Sequence, residues 1–120
     1  MIEPLSYVAS RGTRVIVNPG VCGLRCAIQV EKLGRKKASV AILDSDCEQV
    51  RKMSQWIKEI TLEDLFKPFT QNPLFMWAEK AQCHTTCLVP MAILKAVEVE
   101  MGMAVPRNAG LEFEAREQEE

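Results

Sequence analysis

The sequence predicts an α+β domain in which a three-stranded antiparallel meander is followed by helices packed on one face of the sheet. Alternating apolar and β-branched residues are concentrated in the first half of the chain, whereas helix-start signals and apolar residues at helical spacing follow in the second half. Strands first and helices afterwards are typical of an α+β fold. The 120 residues suffice for one domain with its own hydrophobic core.

Three segments have the pattern of strands. Residues 13–18 are rich in β-branched side chains and end at the turn tripeptide Asn18-Pro19-Gly20. Residues 25–32 and 38–43 alternate apolar and polar side chains, and the turn at 34–36 lies between them. Short connections of this kind join antiparallel neighbours, so we expect a meander.

Two helices are expected next. Ser45 and Glu48 have the spacing of a capping box, which predicts a first helix over residues 46–58. A short second helix opens at residues 61–64 and ends before Pro68, because proline disfavours helical backbone in the preceding residue.

A proline marks the start of the third helix, and a glycine marks the end of the fourth. Asn72 followed by Pro73 predicts a third helix that ends near residue 81, since proline is favoured at the first helical position. A fourth helix ends at Gly102. Its apolar side is marked by Ile93, Leu94, Val97 and Met101.

These elements place a single domain at residues 13–106. It is preceded by an N-terminal extension over residues 1–12 and followed by residues 107–120, where a short strand over 110–115 leads into an acidic tail. The start of the chain lacks the features of a secretory signal, and no apolar stretch approaches the roughly 18 to 20 residues that span a bilayer. We therefore expect a cytoplasmic protein that does not bind membranes.

The charge balance and the motifs exclude several function classes. A net charge of −1 argues against a nucleic-acid partner, because phosphate binding depends on a surplus of Lys and Arg. The chain has no Gly-x-Ser-x-Gly elbow, no phosphate-binding glycine loop and no His-Glu-x-x-His helix. We expect a protein that is not an enzyme.

The five cysteines carry the clearest chemical signal. With no export signal, they favour reduced thiols, a metal site or redox chemistry over a disulfide framework. Cys22 lies in a glycine-containing loop between the first two strands, and Cys47 lies in the first turn of the first helix, where free amide groups favour a thiolate. Cys83, His84 and Cys87 lie just before the last helix.

The three cysteine-bearing segments converge if both helices pack on one sheet face with their N-termini towards the first loop. Thiolate and imidazole are the ligands that zinc prefers, and thiolates with an occasional His hold iron-sulfur clusters. The sequence therefore predicts a zinc or iron-sulfur site. Its ligands are Cys22, Cys47, Cys87 and either His84 or Cys83.

The fifth cysteine is expected to be structural. Cys26 alternates with Ile28 and Val30 in a predicted strand, which favours a small buried hydrophobic residue over a ligand.

Two families share parts of this pattern. Several segments resemble a family of small uncharacterised proteins, mostly from anaerobic bacteria and archaea, that has no established activity. These segments are Asn18-Pro19-Gly20-Val21-Cys22-Gly23, Asp46-Cys47, and His84-Thr85-Thr86-Cys87-Leu88-Val89-Pro90 with Ile93-Leu94-Lys95-Ala96-Val97-Glu98. More distantly, residues 12–102 resemble the NifU-type (IscU-like) iron-sulfur cluster scaffolds. In that family a Cys-Gly pair follows the first strand, a second Cys follows the meander, and a His-Cys pair precedes the last helix.

The scaffold resemblance implies a SufE/NifU-like fold, a scaffold-like metal site and a protein partner for cluster or sulfur transfer. Cys22-Gly23 and Cys47 match the first two positions, and either Cys83 or Cys87 corresponds to the third. Leu24 stands where the scaffolds have an Asp, and residues 78–82 replace their Pro-Pro-Val-Lys type docking segment. The resemblance therefore supports metal binding more than cluster transfer.

Two alternatives stay open at this point. One is a thiol-based carrier or redox protein in which Cys47 attacks and Cys22, Cys83 or Cys87 resolves. The other is a structural module without metal that forms a homodimer through the apolar run over residues 74–77.

Overall fold

A four-stranded antiparallel sheet is the base of the fold in residues 12–116, the part of the chain that this computed structural model describes. The strands are β1 (Thr13–Val17), β2 (Cys26–Lys32), β3 (Lys37–Ser45) and β4 (Glu59–Thr61), and they lie side by side in sequence order. The first three form the predicted meander. The α+β class is therefore confirmed, but the sheet has one strand more than predicted.

The inner face of the sheet carries the core. Val15 of β1 lies opposite Ile28 of β2, which lies opposite Ile42 of β3. The pairing of β2 with β3 shifts register between Ala27 and Ile28, so an extra residue is accommodated near the end of β3. Buried apolar residues of all four strands and of the helices form one continuous cluster.

Three helices follow the meander. These are α1 (Glu48–Ser54), α2 (Pro73–Lys80) and α3 (Val89–Glu100), with two 3-10 turns, Glu63–Phe66 and Phe69–Gln71, before α2. Helix α3 packs on β1 and β2, and α1 packs on β3. Asn72 caps α2, since its side-chain oxygen accepts a hydrogen bond of 2.9 Å from the amide of Leu74, as the Asn-Pro pair predicts.

The first helix is shorter than predicted, and the predicted capping box of Ser45 and Glu48 does not form at its start. Ser45 remains in β3, where it pairs with Cys26, so the chain enters α1 two residues later with Cys47 at the N-cap. After Ser54 the chain returns to the sheet, where the amide of Val40 donates to the Lys58 carbonyl oxygen at 3.0 Å. Strand β4 then pairs with the start of β3, which satisfies backbone groups that would otherwise lie at an open edge.

The second predicted helix is a 3-10 turn. Thr61 and Asp64 act reciprocally: the Thr61 amide donates to Asp64 Oδ2 at 3.0 Å, and the Asp64 amide donates to Thr61 Oγ1 at 3.1 Å. This is the hydrogen-bond pattern of a capping box around a single turn. The predicted position of this helix start is therefore correct, but the segment forms a single 3-10 turn and not an α-helix.

The strand predicted over residues 110–115 does not form within the described chain. Residues 105–116 adopt neither helix nor strand, and Phe113 is 96% exposed. Residues 1–11 of the predicted extension and 117–120 of the acidic tail lie outside the described residues. None of the helices between residues 12 and 116 has the length and apolar character needed to cross a bilayer.

Candidate functional site

The antiparallel meander places three chain segments at one end of the sheet. The last residue of β1, Val17, pairs with the first residue of β2, Cys26, which in turn pairs with the last residue of β3, Ser45. The loop that holds Cys22 and the start of α1 at Cys47 therefore leave the sheet from the same end.

Cys22 lies in a tight turn at this end. The amide of Gly23 donates to the Gly20 carbonyl oxygen at 2.9 Å, and both glycines have left-handed backbone, with φ of +68° and +98°. A residue with a Cβ is disfavoured in that region. The turn leaves the Cys22 side chain exposed.

Cys47 is half-buried at the start of α1. Its amide donates to Ser45 Oγ at 3.2 Å, and its Sγ donates to Gln49 Oε1 at 3.3 Å. The thiol therefore has a local hydrogen-bond acceptor on the first turn of the helix.

Cys83 is held by the end of α2. The Cys83 amide donates to the Ala78 carbonyl oxygen at 2.9 Å, and the Gln82 amide donates to that of Glu79 at 3.0 Å. These two bonds, with Gln82 at a φ of +63°, constitute a Schellman motif. The motif reverses the chain so that Cys83 packs against the core.

Cys87 lies immediately before α3. Its amide donates to the His84 carbonyl oxygen at 3.0 Å, which closes a turn over residues 84–87, and its thiol accepts a hydrogen bond from the Val89 backbone in the first turn of the helix. Cys87 is half-buried, whereas His84 is exposed.

Three of the thiols have raised pKa values, and the charges of other cysteines contribute to each increase. Burial raises the pKa of Cys83 to about 11, and the nearby charges of Cys87 and Cys47 contribute to the increase. Burial also raises the pKa of Cys87 and outweighs the hydrogen bond from Val89, and the charges of Cys47 and Cys22 act in the same direction. Like charges raise a thiol pKa in this way only at short range.

Cys26 belongs to the same group of thiols. Burial raises its pKa to about 11, with further increases from the charges of Cys87, Asp44 and Cys47. The prediction of a buried Cys26 is confirmed, since its side chain is only 2% exposed. Its proximity to the other thiols was missed, although its place at the first position of β2, beside the Cys22 loop, was a usable signal.

We name these five residues the thiol cluster: Cys22, Cys26, Cys47, Cys83 and Cys87. In residues 12–116, no group of three or more His, Cys, Asp or Glu side chains is arranged so that it could hold a metal ion as it stands. The structure thus brings the thiols of three segments near one another without closing a coordination shell. No hydrogen bond or ion pair in the described chain joins the His84 imidazole to the cluster.

Comparison with known proteins identifies the family. The profile of DUF6951, a family of unknown function, matches residues 13–113. The chain belongs to DUF6951. No curated protein and no solved structure matches it. The DUF6951 match covers every strand and helix described above and includes the whole thiol cluster.

Proposed function

We propose that this DUF6951 protein binds one zinc ion or one iron-sulfur cluster through the thiolates of Cys22, Cys47, Cys83 and Cys87. The observation that carries the proposal is the common end of the sheet from which the Cys22 loop and the start of α1 at Cys47 leave. The charge of Cys47 acts on Cys83 and Cys87 of a third segment, and the charge of Cys22 acts on Cys87, which supports their proximity. Thiols gathered from distant parts of a chain are a common basis for a structural or storage metal site.

The donor chemistry of the thiol cluster fits a soft or borderline metal. All five members of the thiol cluster would donate through sulfur, and the carboxylate of Asp44 acts on Cys26, which is not among the proposed ligands. Zinc and iron-sulfur clusters are held by such sets, whereas Mg²⁺ and Ca²⁺ prefer oxygen. Of the two candidates for the fourth ligand, Cys83 is favoured over His84, because Cys83 interacts with Cys87 and Cys47 whereas the imidazole is exposed.

Metal binding requires the thiols to move closer together. Cys22 lies on an exposed turn, and a methyl group added at either flanking glycine would meet no heavy atom of the described chain within 4 Å, so this turn has room to move towards Cys87. Cys83 and Cys87 are fixed by backbone hydrogen bonds. We therefore expect binding to order the Cys22 turn, so that metal affinity and local stability are coupled.

The order of the cysteines supports a scaffold-like role. One cysteine follows β1, a second begins α1 after the meander, and a third precedes α3, as in the NifU-type scaffolds that the sequence resembles. The proposed protein stores metal or a cluster in the cytoplasm, without catalysis, and passes it to a protein partner. Leu24, in place of the scaffold Asp, makes storage the better supported half of this role.

Anaerobic purification followed by metal analysis and a visible spectrum tests the proposal. We expect one equivalent of zinc or the absorption of an iron-sulfur cluster, and one equivalent of Co²⁺ added to the stripped protein should give thiolate-to-cobalt absorption. Protein that is colourless and metal-free after this handling, and that also fails to bind Co²⁺, would contradict the proposal.

Two neighbouring variants form a matched pair for the fourth ligand. Cys83→Ser should weaken Co²⁺ binding at least about tenfold, because even outer partners of metal sites contribute 10–100-fold to affinity. His84→Ala should leave the affinity unchanged. The reverse result would assign the fourth position to the imidazole.

The redox alternative is less well supported by the same geometry. Attack and resolution need thiolates, and the raised pKa values of Cys83 and Cys87 keep these two thiols protonated at neutral pH. If the protein is a thiol carrier that attacks through Cys47, the metal-free protein should contain one cysteine that is alkylated rapidly at neutral pH. Uniformly slow alkylation of all five cysteines would exclude the thiol-carrier function.

A dimerisation module built on residues 74–77 also has limited support. Leu74 is fully buried in the core, and Met76 is the one residue of the four that is largely exposed.

A further inference from the structure

The segment after α3 has the composition of a strand but no strand partner in the described chain. Leu111 and Phe113 are 77% and 96% exposed, and they alternate with Glu112 and Glu114. Alternation of apolar and charged residues is the pattern of a half-buried strand. The family match continues past α3 to residue 113, so this segment belongs to the DUF6951 domain.

The sheet offers one edge where such a strand fits. Strand β1 lies at the end of the sheet, and among residues 12–116 its backbone pairs only with β2, so its other edge has no partner strand within this part of the chain. An open edge with backbone donors and acceptors favours pairing with a further strand. The opposite edge is β4, which has only three residues.

The side chains of β1 complement those of the segment. Val15 faces the core but is only half-buried, whereas Arg14 is exposed on the other face. A strand that runs parallel to β1 with Phe113 next to Val15 puts Glu112 next to Arg14. Apolar residues then meet on the core side and opposite charges meet on the outer side.

The path of the chain favours an exchange between two copies. Glu100 fixes the end of α3 at the start of β1, since Oε1 accepts from Thr13 Oγ1 at 2.8 Å and Oε2 accepts from the Lys32 amide at 3.0 Å. After this anchor, all residues from 102 to 116 are exposed. The radius of gyration is 16.1 Å, whereas a compact chain of this size has about 13 Å.

We propose that residues 110–115 of one copy add to the open edge of β1 of a second copy, and that the second copy does the same in return. A reciprocal exchange obeys twofold symmetry and closes into a dimer, because each copy supplies one segment and one edge. This interface is separate from the thiol cluster, which lies at the other end of the sheet from the Glu100 anchor. The dimer therefore does not depend on metal.

Light scattering on the full chain measures the solution mass. We expect twice the chain mass of 13.5 kDa for the unmodified protein and a single chain mass for Phe113→Asp. Val105→Asp is the matched control, since Val105 is also exposed, at 67%, but lies outside the segment. It should remain a dimer. Leu111→Asp should reproduce the effect of Phe113→Asp, and circular dichroism should show both variants folded.

A charge exchange tests the register with Arg14. Arg14→Glu should weaken the dimer, and adding Glu112→Arg to the same chain should restore it. A monomeric unmodified chain would overturn the proposal. Slow amide exchange of residues 110–115 in that monomer would show that the segment pairs with β1 of its own chain instead. A dimer that persists in both Phe113→Asp and Leu111→Asp would overturn it as well.

Discussion

Replacing Gln82 with glycine should stabilise the protein, although glycine normally weakens a fold. Gln82 is the one residue other than glycine with a positive φ in residues 12–116, at +63°, and it occupies the position after the C-cap of α2. Helices commonly place glycine there, because glycine has no Cβ to clash in left-handed backbone.

The magnitude follows from two opposing effects. Left-handed backbone costs a residue with a Cβ about 1–2 kcal/mol, and glycine loses about 0.5–1 kcal/mol more backbone entropy on folding. Gln82→Gly should therefore raise the free energy of unfolding by about 0.5–1 kcal/mol. Gln55 is the control: it is the C-cap of α1 and has ordinary helical backbone, with φ −69° and ψ −23°. Gln55→Gly removes no strain and should lower the free energy of unfolding by about 0.5–1 kcal/mol.

Urea unfolding of both variants under reducing conditions gives the comparison. The same chemical change should shift the midpoint upwards at residue 82 and downwards at residue 55, with an unchanged dependence on urea. Equal destabilisation by both variants would show that Gln82 is not in left-handed backbone. In that case the Schellman motif would not hold Cys83 in the thiol cluster.

Two further predictions concern the fold. Gly12→Ala should destabilise the protein by at least about 1–2 kcal/mol, because φ is +80° and the new methyl group would collide with the Val30 carbonyl oxygen; Gly34→Ala, where φ is +94° but the new methyl group meets no atom within 4 Å, adds the backbone strain without the collision and should lower the urea midpoint less. Burial opposes ionisation of Asp64, but hydrogen bonds from Lys67 and from backbone and hydroxyl donors outweigh it and lower its pKa. The carboxylate therefore stabilises the fold above its unfolded pKa of about 3.8, and this contribution is lost as the pH falls through the lowered folded value. Asp64→Asn should cost about 1 kcal/mol at neutral pH and nothing in strong acid, as urea unfolding at the two pH values would show; an equal loss at both would contradict the role of the charge.

The strands were predictable because each has its own periodicity. Alternating apolar residues mark β2 and β3, and burial follows that alternation closely in Cys26, Ile28 and Val30. Strand β4 has three residues, too few to show a period, and its pairing depends on the distant start of β3. Tertiary pairing of this kind cannot be seen in a local pattern.

The helix starts also differ in how far local sequence predicts them. Asn72 and Pro73 act on their immediate neighbours, so α2 was predicted with its correct first residue. Ser45 has the local spacing of a cap, but its pairing with Cys26 keeps it in β3. The sheet therefore overrides the capping preference and moves the start of α1 to Cys47.

The sequence predicted that the thiols lie near the ends of strands and helices, but it did not predict every member of the thiol cluster. Alternating strand directions suffice to bring Cys22 and Cys47 to one end of the sheet. The choice between Cys83 and His84 depends on the left-handed Gln82, and no glycine marks that reversal in the sequence. Cys26 was correctly predicted as buried, yet burial at the first position of β2 also brings it near Cys87.

X-ray absorption at the zinc edge of a one-to-one zinc complex tests the central claim most directly. If cysteines from three separate segments hold one ion, the zinc should have four sulfur neighbours at about 2.3 Å and no nitrogen or oxygen in its coordination shell. Cys22→Ser, Cys47→Ser and Cys83→Ser should each reduce the sulfur count by one. A shell of nitrogen and oxygen atoms, or a sulfur count that these three variants leave unchanged, would contradict the account.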